Sequence, residues 1–190
     1  EVLYLDFDVI PVTDTSFFER FDLNYLCFHE VVKDMLSIQY EKLKSDVNFT
    51  KFSSAMRLFT PMNPFVKMAA KNSMLMLDDI IGRETIINTG VVGGNKHSIG
   101  LLKLKDRLNM IDEKLEEARE DNIYPDNISD MFFQNNETYM SYLVEKFNLP
   151  YREIGRQWNY VLYTEEDYPH SNNHFLHYIS KDFHCCFDSS

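Results

Sequence analysis

Residues 1–12 read EVLYLDFDVIPV, and the rest of the chain is understood from them. Val2, Leu3 and Leu5 run into Asp6-Phe7-Asp8, and Val9, Ile10 and Val12 follow. A short, nearly continuous apolar run closed by Pro11 and a polar turn predicts a buried strand. Along a strand, residues i and i+2 face the same side, so the carboxylates of Asp6 and Asp8 are expected to converge. Two such charges at the end of a buried strand are costly unless something compensates them. Two readings are open. Either the aspartates cap the next turn, or they hold a divalent cation, and Mn²⁺ or Mg²⁺ suits oxygen ligands of this kind.

The chain has 190 residues, 44% of them hydrophobic and 26% charged, which suits one soluble domain with a sizeable core. Net charge is −11. Such a surface repels nucleic-acid backbones and anionic membranes, so no nucleic-acid partner is expected. No apolar run reaches the length of a transmembrane segment, and no signal peptide is visible. Cys27, Cys185 and Cys186 make no disulfide framework and no C-x-x-C pair, which predicts a reducing, cytoplasmic setting. The first residue is Glu1, already inside the predicted strand, so a segment upstream is expected.

Beyond the first strand, residues 16–20 predict a short helix after the turn residues Thr13 to Thr15. From Leu26 to Lys44, the spacing of Phe28, Val31, Val32, Met35, Leu36 and Leu43 predicts an amphipathic helix. Residues 64–77 read as a second helix opened by Pro64, whose methionines (Met68, Met74, Met76) fill core. Glu84 to Asn95, ETIINTGVVGGN, reads as a strand interrupted at Asn88-Thr89-Gly90 and ended by Gly93-Gly94. Lys96 lacks the flanking residues of a phosphate-binding loop. One long helix is predicted from His97 to about Asp121, on a stripe of Leu101, Leu104, Leu108, Ile111, Leu115 and Ala118. Ser129 or Asp130 caps a further helix reaching about Phe147. Trp158-Asn159 and the apolar strand opening at His174 close the chain. Trp158 is either the wall of a binding site or a core anchor.

The segment LYLDFDVIPVTDTSFFERFDL resembles the Asp-x-Asp segment of glycosyltransferases with the GT-A fold. It is most similar to the retaining families typified by glycogenin and the bacterial lipopolysaccharide galactosyltransferases. Further segments follow in the family's order: Asn88-Thr89-Gly90 with Val91, Ser129-Asp130, Trp158-Asn159 and His177-Tyr178. The resemblance implies that Asp6, Asp8 and His177 hold Mn²⁺ or Mg²⁺ against the diphosphate of a nucleotide-sugar. It further implies that Asp6, Thr89, Gly90, Trp158 and Asn159 contact substrate, that Asp130 and Asn88 serve the reacting sugar, with Gln134 or Glu137 as lesser candidates, and that Lys181 neutralises the leaving diphosphate. The family's closing motif, H-[FY]-x-G-x-x-K, is met only in part. Ser180 stands at the Gly position and Phe183 at the Lys position, with Lys181 two residues early.

The expected fold is α/β, a GT-A-like mixed sheet flanked by helices and lacking its first strands. It forms a single partial catalytic domain over residues 1–190, with residues 24–80 as a helical insertion or lid. The expected function is metal-dependent transfer of a sugar, with retention, from a nucleotide-sugar (a UDP-sugar first) to a hydroxyl of a saccharide, lipid or protein. Two other readings stand beside it. One is a phosphatase-like hydrolase with Asp6 as nucleophile and Asp8 as acid/base, although Ile10 and Pro11 fit that family's opening motif poorly. The other is a non-catalytic scaffold fragment.

Overall fold

The opening strand does not run through the two aspartates. The structure is a computed structural model that describes residues 1–31, 71, 74–75, 78–80, 83, 85–120, 136–162 and 170–178. In it the first stretch forms two strands, β1 (Val2–Leu5) and β2 (Val9–Pro11), which belong to different sheets. The remaining strands are β3 (Leu26–Glu30), β4 (Ile87–Gly94), β5 (Tyr151–Glu153), β6 (Tyr160–Leu162) and β7 (Phe175–Tyr178). One sheet has the order β1-β4-β3-β5 and the other β2-β7-β6. Both are mixed: β1 is antiparallel to β4 and β3 parallel to β5, while β7 is antiparallel to β2 and parallel to β6. The described chain is therefore mixed α/β, as expected, with its strands shared between two sheets.

Asp6-Phe7-Asp8 is where the chain passes from one sheet to the other. The Asp6 N–H donates to Gly90 O at 2.9 Å, which extends the β1–β4 ladder by one residue. Tyr178 N–H donates to Asp8 O at 2.9 Å, which extends the β2–β7 ladder back by one. Between them Val9 N–H donates to Asp6 O at 3.1 Å, closing a tight turn. The two aspartates converge because of this turn, and not through the strand alternation expected from the sequence. Burial of β1 is also partial. Leu3 and Leu5 pack inward, but Val2 is 52% and Tyr4 49% exposed, because β1 ends the order of its sheet and only one of its faces meets the core.

Two compact units divide the chain: Glu1–His29 with Asn88–Ile99 and Pro150–Ser190, and Glu30–Ile87 with Gly100–Leu149. The first unit is built on Val9, Phe17, Leu23, Cys27, Val91, Ile154, Trp158 and Phe175, with Leu3, Leu5 and Phe21 against them. Phe17 comes from α1 (Phe17–Arg20), the short helix the turn residues predict. Phe17, Phe21 and Phe175 pack edge-on against Trp158, Phe17 lies tilted on Phe21 and stacked with Phe175, and the centroid distances are 4.6–6.2 Å. Such aromatic pairs add about 0.5–1.5 kcal/mol each beyond their buried area.

Three sequence expectations change here. The helix expected from Leu26 begins instead as β3, in which all five residues are buried. An inner strand covered on both faces loses the alternation that marks strands, so its apolar residues read equally well at helical spacing. Residues 32–44 lie outside the described ones. The interruption expected in β4 is absent: the eight residues from Ile87 to Gly94 form one continuous strand, with Asn88, Thr89 and Gly90 all buried. The long helix expected from His97 is two helices, α2 (Lys96–Gly100) and α3 (Leu104–Glu120). Lys103 takes a left-handed φ of 43° between them. Its carbonyl accepts from the N–H groups of Asp106 and Arg107, both at 3.1 Å, and so starts α3 afresh.

In the second unit α3 and α4 (Asn136–Lys146) are tied by one carboxylate. Asp78 accepts hydrogen bonds from Lys114, Lys146 and Tyr142. Ile111 and Leu115 of the α3 stripe are buried, whereas Leu104 and Leu108 are nearly half exposed. Met74 is fully buried, as core filling requires. Most of the expected insertion at 24–80 lies outside the described residues, as does the helix start at Ser129-Asp130. Among the described residues no helix is long and apolar enough to cross a membrane.

Candidate metal centre

Asp6, Asp8 and His177 each turn a ligand atom to one point, and these atoms lie within 4.8 Å of one another. The turn between the sheets supplies both carboxylates. Strand β7 supplies the imidazole, because His177 sits directly opposite Val9 on one side and Val161 on the other. Asp8 and His177 are buried and Asp6 is partly so. The Nε2 of His177 stands 3.4 Å from Asp8 Oδ1. That oxygen is shut off from solvent and has no hydrogen-bond partner. A buried carboxylate oxygen in that state costs about 1–3 kcal/mol or more.

The local electrostatics favour a positive charge. Two carboxylates at 4.8 Å or less repel by about 3 kcal/mol at an effective dielectric near 20. Tyr4 Oη donates to Asp6 Oδ1. That bond, with burial and the negative charge of Asp6 and Asp8, pushes the Tyr4 phenol above its ordinary value. A divalent ion bound to all three ligands would draw these atoms closer together. It would also satisfy Asp8 Oδ1. Two carboxylates with one imidazole favour Mn²⁺ over Mg²⁺, since the imidazole adds a softer donor to a hard oxygen set.

Behind the imidazole lies a row of polar side chains. His177 Nδ1 is 3.0 Å from Asn159 Oδ1. The Asn159 Nδ2–H₂ donates to Asn88 Oδ1 at 2.7 Å, and the Gly90 N–H donates to the same oxygen at 2.8 Å. Asn159 is wholly buried and Asn88 nearly so. Gly90 gives the ring its place: a Cβ added there would stand 2.4 Å from His177 Cε1 and 2.5 Å from Nδ1. The close approach at Gly90 is thus made by the site's own histidine. Its backbone is extended, so space and not φ requires glycine.

The other predicted residues fall as follows. Thr89 is buried in β4 beside Asn88. Trp158 is 2% exposed and packs with Phe17, Phe21, Phe175 and His174, the last at 4.1 Å, so it anchors the core. Asp130, Gln134 and Lys181 lie outside the described residues; Glu137 opens α4 in the second unit. Tyr4 was missed by sequence reasoning, although it stands two residues before Asp6 and shares its side of the strand. The link from Asn88 through Asn159 to His177 had no local signal, because its members come from β4, the segment before β6, and β7.

Comparison with known protein families, with curated proteins and with solved structures finds no match to this chain.

Proposed function

We propose that this protein is a divalent-cation-dependent glycosyltransferase that uses Asp6, Asp8 and His177 to hold Mn²⁺ or Mg²⁺ against the diphosphate of a nucleotide-sugar. The observation that carries the cation is the buried, unsatisfied Asp8 Oδ1 facing His177 Nε2 at 3.4 Å, with the Asp6 carboxylate beside them. The step from cation to sugar transfer is supported by the resemblance of the Asp-x-Asp segment and of the ordered motifs after it. The cation, when bound, supplies positive charge to the departing nucleoside diphosphate. Asp6 and Asp8 keep that charge at one place, and His177 closes the site from the opposite strand. Asp130 and Lys181 retain the roles the resemblance implies, on the sugar and on the leaving diphosphate. An acceptor hydroxyl then replaces the nucleoside diphosphate at the anomeric carbon: the new C–O bond forms as the bond from that carbon to the phosphate oxygen breaks, and the hydroxyl proton passes to the departing diphosphate; positioning supplies much of the rate. A UDP-sugar donor, a saccharide, lipid or protein acceptor, and a cytoplasmic setting belong to the same reading.

The test is a thermal-shift screen with Mn²⁺ alone and with Mn²⁺ plus UDP, GDP and their common sugars, followed by a donor-turnover assay. Ligands that bind only the folded form raise its stability by mass action. A shift that needs both metal and nucleoside diphosphate, with turnover lost in Asp8→Asn, is the expected result. Stabilisation by Mn²⁺ with no response to any nucleotide would leave the metal centre standing and refute the glycosyltransferase reading. Phosphate release from an aryl phosphate without nucleotide would assign the site to a hydrolase with Asp6 as nucleophile.

A further inference from the structure

The polar row behind His177 has a direction, and it can be read from one end. A backbone N–H can only donate. The Gly90 N–H lies 2.8 Å from the Asn88 side chain, so the atom it meets is the amide oxygen. That oxygen also faces Asn159 at 2.7 Å, so Asn159 must present its Nδ2–H₂ there. Its own oxygen is then turned to His177 Nδ1, 3.0 Å away. An amide oxygen only accepts, so Nδ1 must carry a proton. The orientation of each amide, ordinarily an assignment from its neighbours, is here forced by the main chain of β4.

We propose that Asn88 and Asn159 are positioning residues that hold the proton of His177 on Nδ1 and thereby present the Nε2 lone pair to Asp8 and Asp6, building the cation receptor before any cation arrives. The inference rests on the metal-centre reading for its purpose, but the location of the proton stands apart from it. A neutral imidazole left to itself divides between two tautomers, and only one of them offers Nε2 to a metal. Partners on the far ring nitrogen are a recurrent device at metal-bound histidines, and losing one costs about 10–100-fold in metal affinity. Here the partner is a neutral amide. It keeps the proton on Nδ1 without adding a third negative charge behind the two carboxylates. The purpose of Asn88 and Asn159 is thus assigned to the histidine rather than to a sugar.

The experiment is nitrogen NMR of the metal-free protein with ¹⁵N-labelled histidine, with His177→Gln used to identify the signal, at mildly alkaline pH. The expected result is a proton on Nδ1 and a bare Nε2. A proton on Nε2, either as the other tautomer or as imidazolium, would overturn the proposal whatever the metal does. Mn²⁺ affinity is then measured in two variants. Asn159→Leu removes the acceptor and is expected to mix the tautomers and weaken Mn²⁺ binding about 10–100-fold. Asn88→Asp keeps an oxygen for both Gly90 N–H and Asn159 Nδ2–H₂, and is expected to leave the tautomer as in the wild type. If Asn159→Leu fails to fold, the wild-type and Asn88→Asp spectra decide alone. An Nδ1 proton in a protein that binds no Mn²⁺ would support the placement of the proton by Asn159 and refute the metal-centre reading, so the two failures are distinguishable.

Discussion

Replacing Gly90 with alanine tests the geometry of the centre through a single methyl group. The new Cβ would stand 2.4 Å from His177 Cε1 and 2.5 Å from Nδ1, where ordinary contact begins at 3.4 Å. Something must retreat by about 1 Å. The main chain of β4 is held by its neighbours β1 and β3 and by the Asp6 N–H to Gly90 O bond. The main chain at His177 is held between β2 and β6. The imidazole must therefore swing, and it leaves both Asn159 Oδ1 and its place beside Asp8. Overpacking of this kind costs about 1–3 kcal/mol, and a displaced metal ligand is expected to weaken Mn²⁺ binding about 10–100-fold. Gly93→Ala is the control. Its Cβ would stand 2.5 Å from Phe17 Cε1 and 2.9 Å from Phe17 Cζ, a similar overlap on the same strand but directed into the aromatic core. Urea denaturation should show a comparable loss of stability in both variants, while Mn²⁺ titration should show a large loss of affinity only in Gly90→Ala. Wild-type affinity in Gly90→Ala, or an equal loss in Gly93→Ala, would refute the assignment of Gly90 to the histidine.

Asp8→Asn should lose Mn²⁺ binding and yet make the metal-free protein more stable, by about 1 kcal/mol, because a buried unsatisfied carboxylate oxygen is replaced by a neutral amide; urea melts in EDTA check this. Burial acts to raise the Asp78 carboxyl, but the hydrogen bonds from Lys114, Lys146 and Tyr142 outweigh it and hold the group below its ordinary value of 3.8. A depressed folded-state value stabilises the fold above the unfolded value and ceases to do so as pH falls through the folded one. Asp78→Asn should therefore cost about 3 kcal/mol at neutral pH, and its deficit against the wild type should shrink as pH falls below 3.8. Burial, and then the charge of Asp22, push the Cys27 thiol up to about 11. Iodoacetamide at neutral pH should accordingly label Cys27 only after denaturation, as read by peptide mass spectrometry.

Residues near the site were legible where local chemistry and local structure agree. The short helix after Thr15, the strand carrying His177 and the pairing of Asp6 with Asp8 were all visible in the sequence. The route to that pairing was not. The carboxylates meet across a turn between two sheets, and a switch of sheet leaves no periodic trace in a stretch as short as EVLYLDFDVIPV. Leu26–Glu30 hid its strand because a fully buried strand shows no alternation. Gly100 marks a boundary that the leucine stripe obscures: the stripe continues past it, but Leu104 and Leu108 stay nearly half exposed while Ile111 and Leu115 are buried. Asn159 was singled out as a substrate contact and Asn88 as a group serving the reacting sugar. Their partnership with one another and with His177 depends on strands brought together by the fold, which spacing along the chain does not encode.

The central claim is that Asp6, Asp8 and His177 together hold a divalent cation. Titration of the metal-free protein with Mn²⁺, followed by the loss of the free-ion signal in electron paramagnetic resonance, tests it most directly when run beside His177→Ala. Saturable binding of one ion per chain, abolished or weakened about a hundredfold or more without the imidazole, is the predicted result. Absence of saturable binding in the wild type, or undiminished binding in His177→Ala, would contradict it.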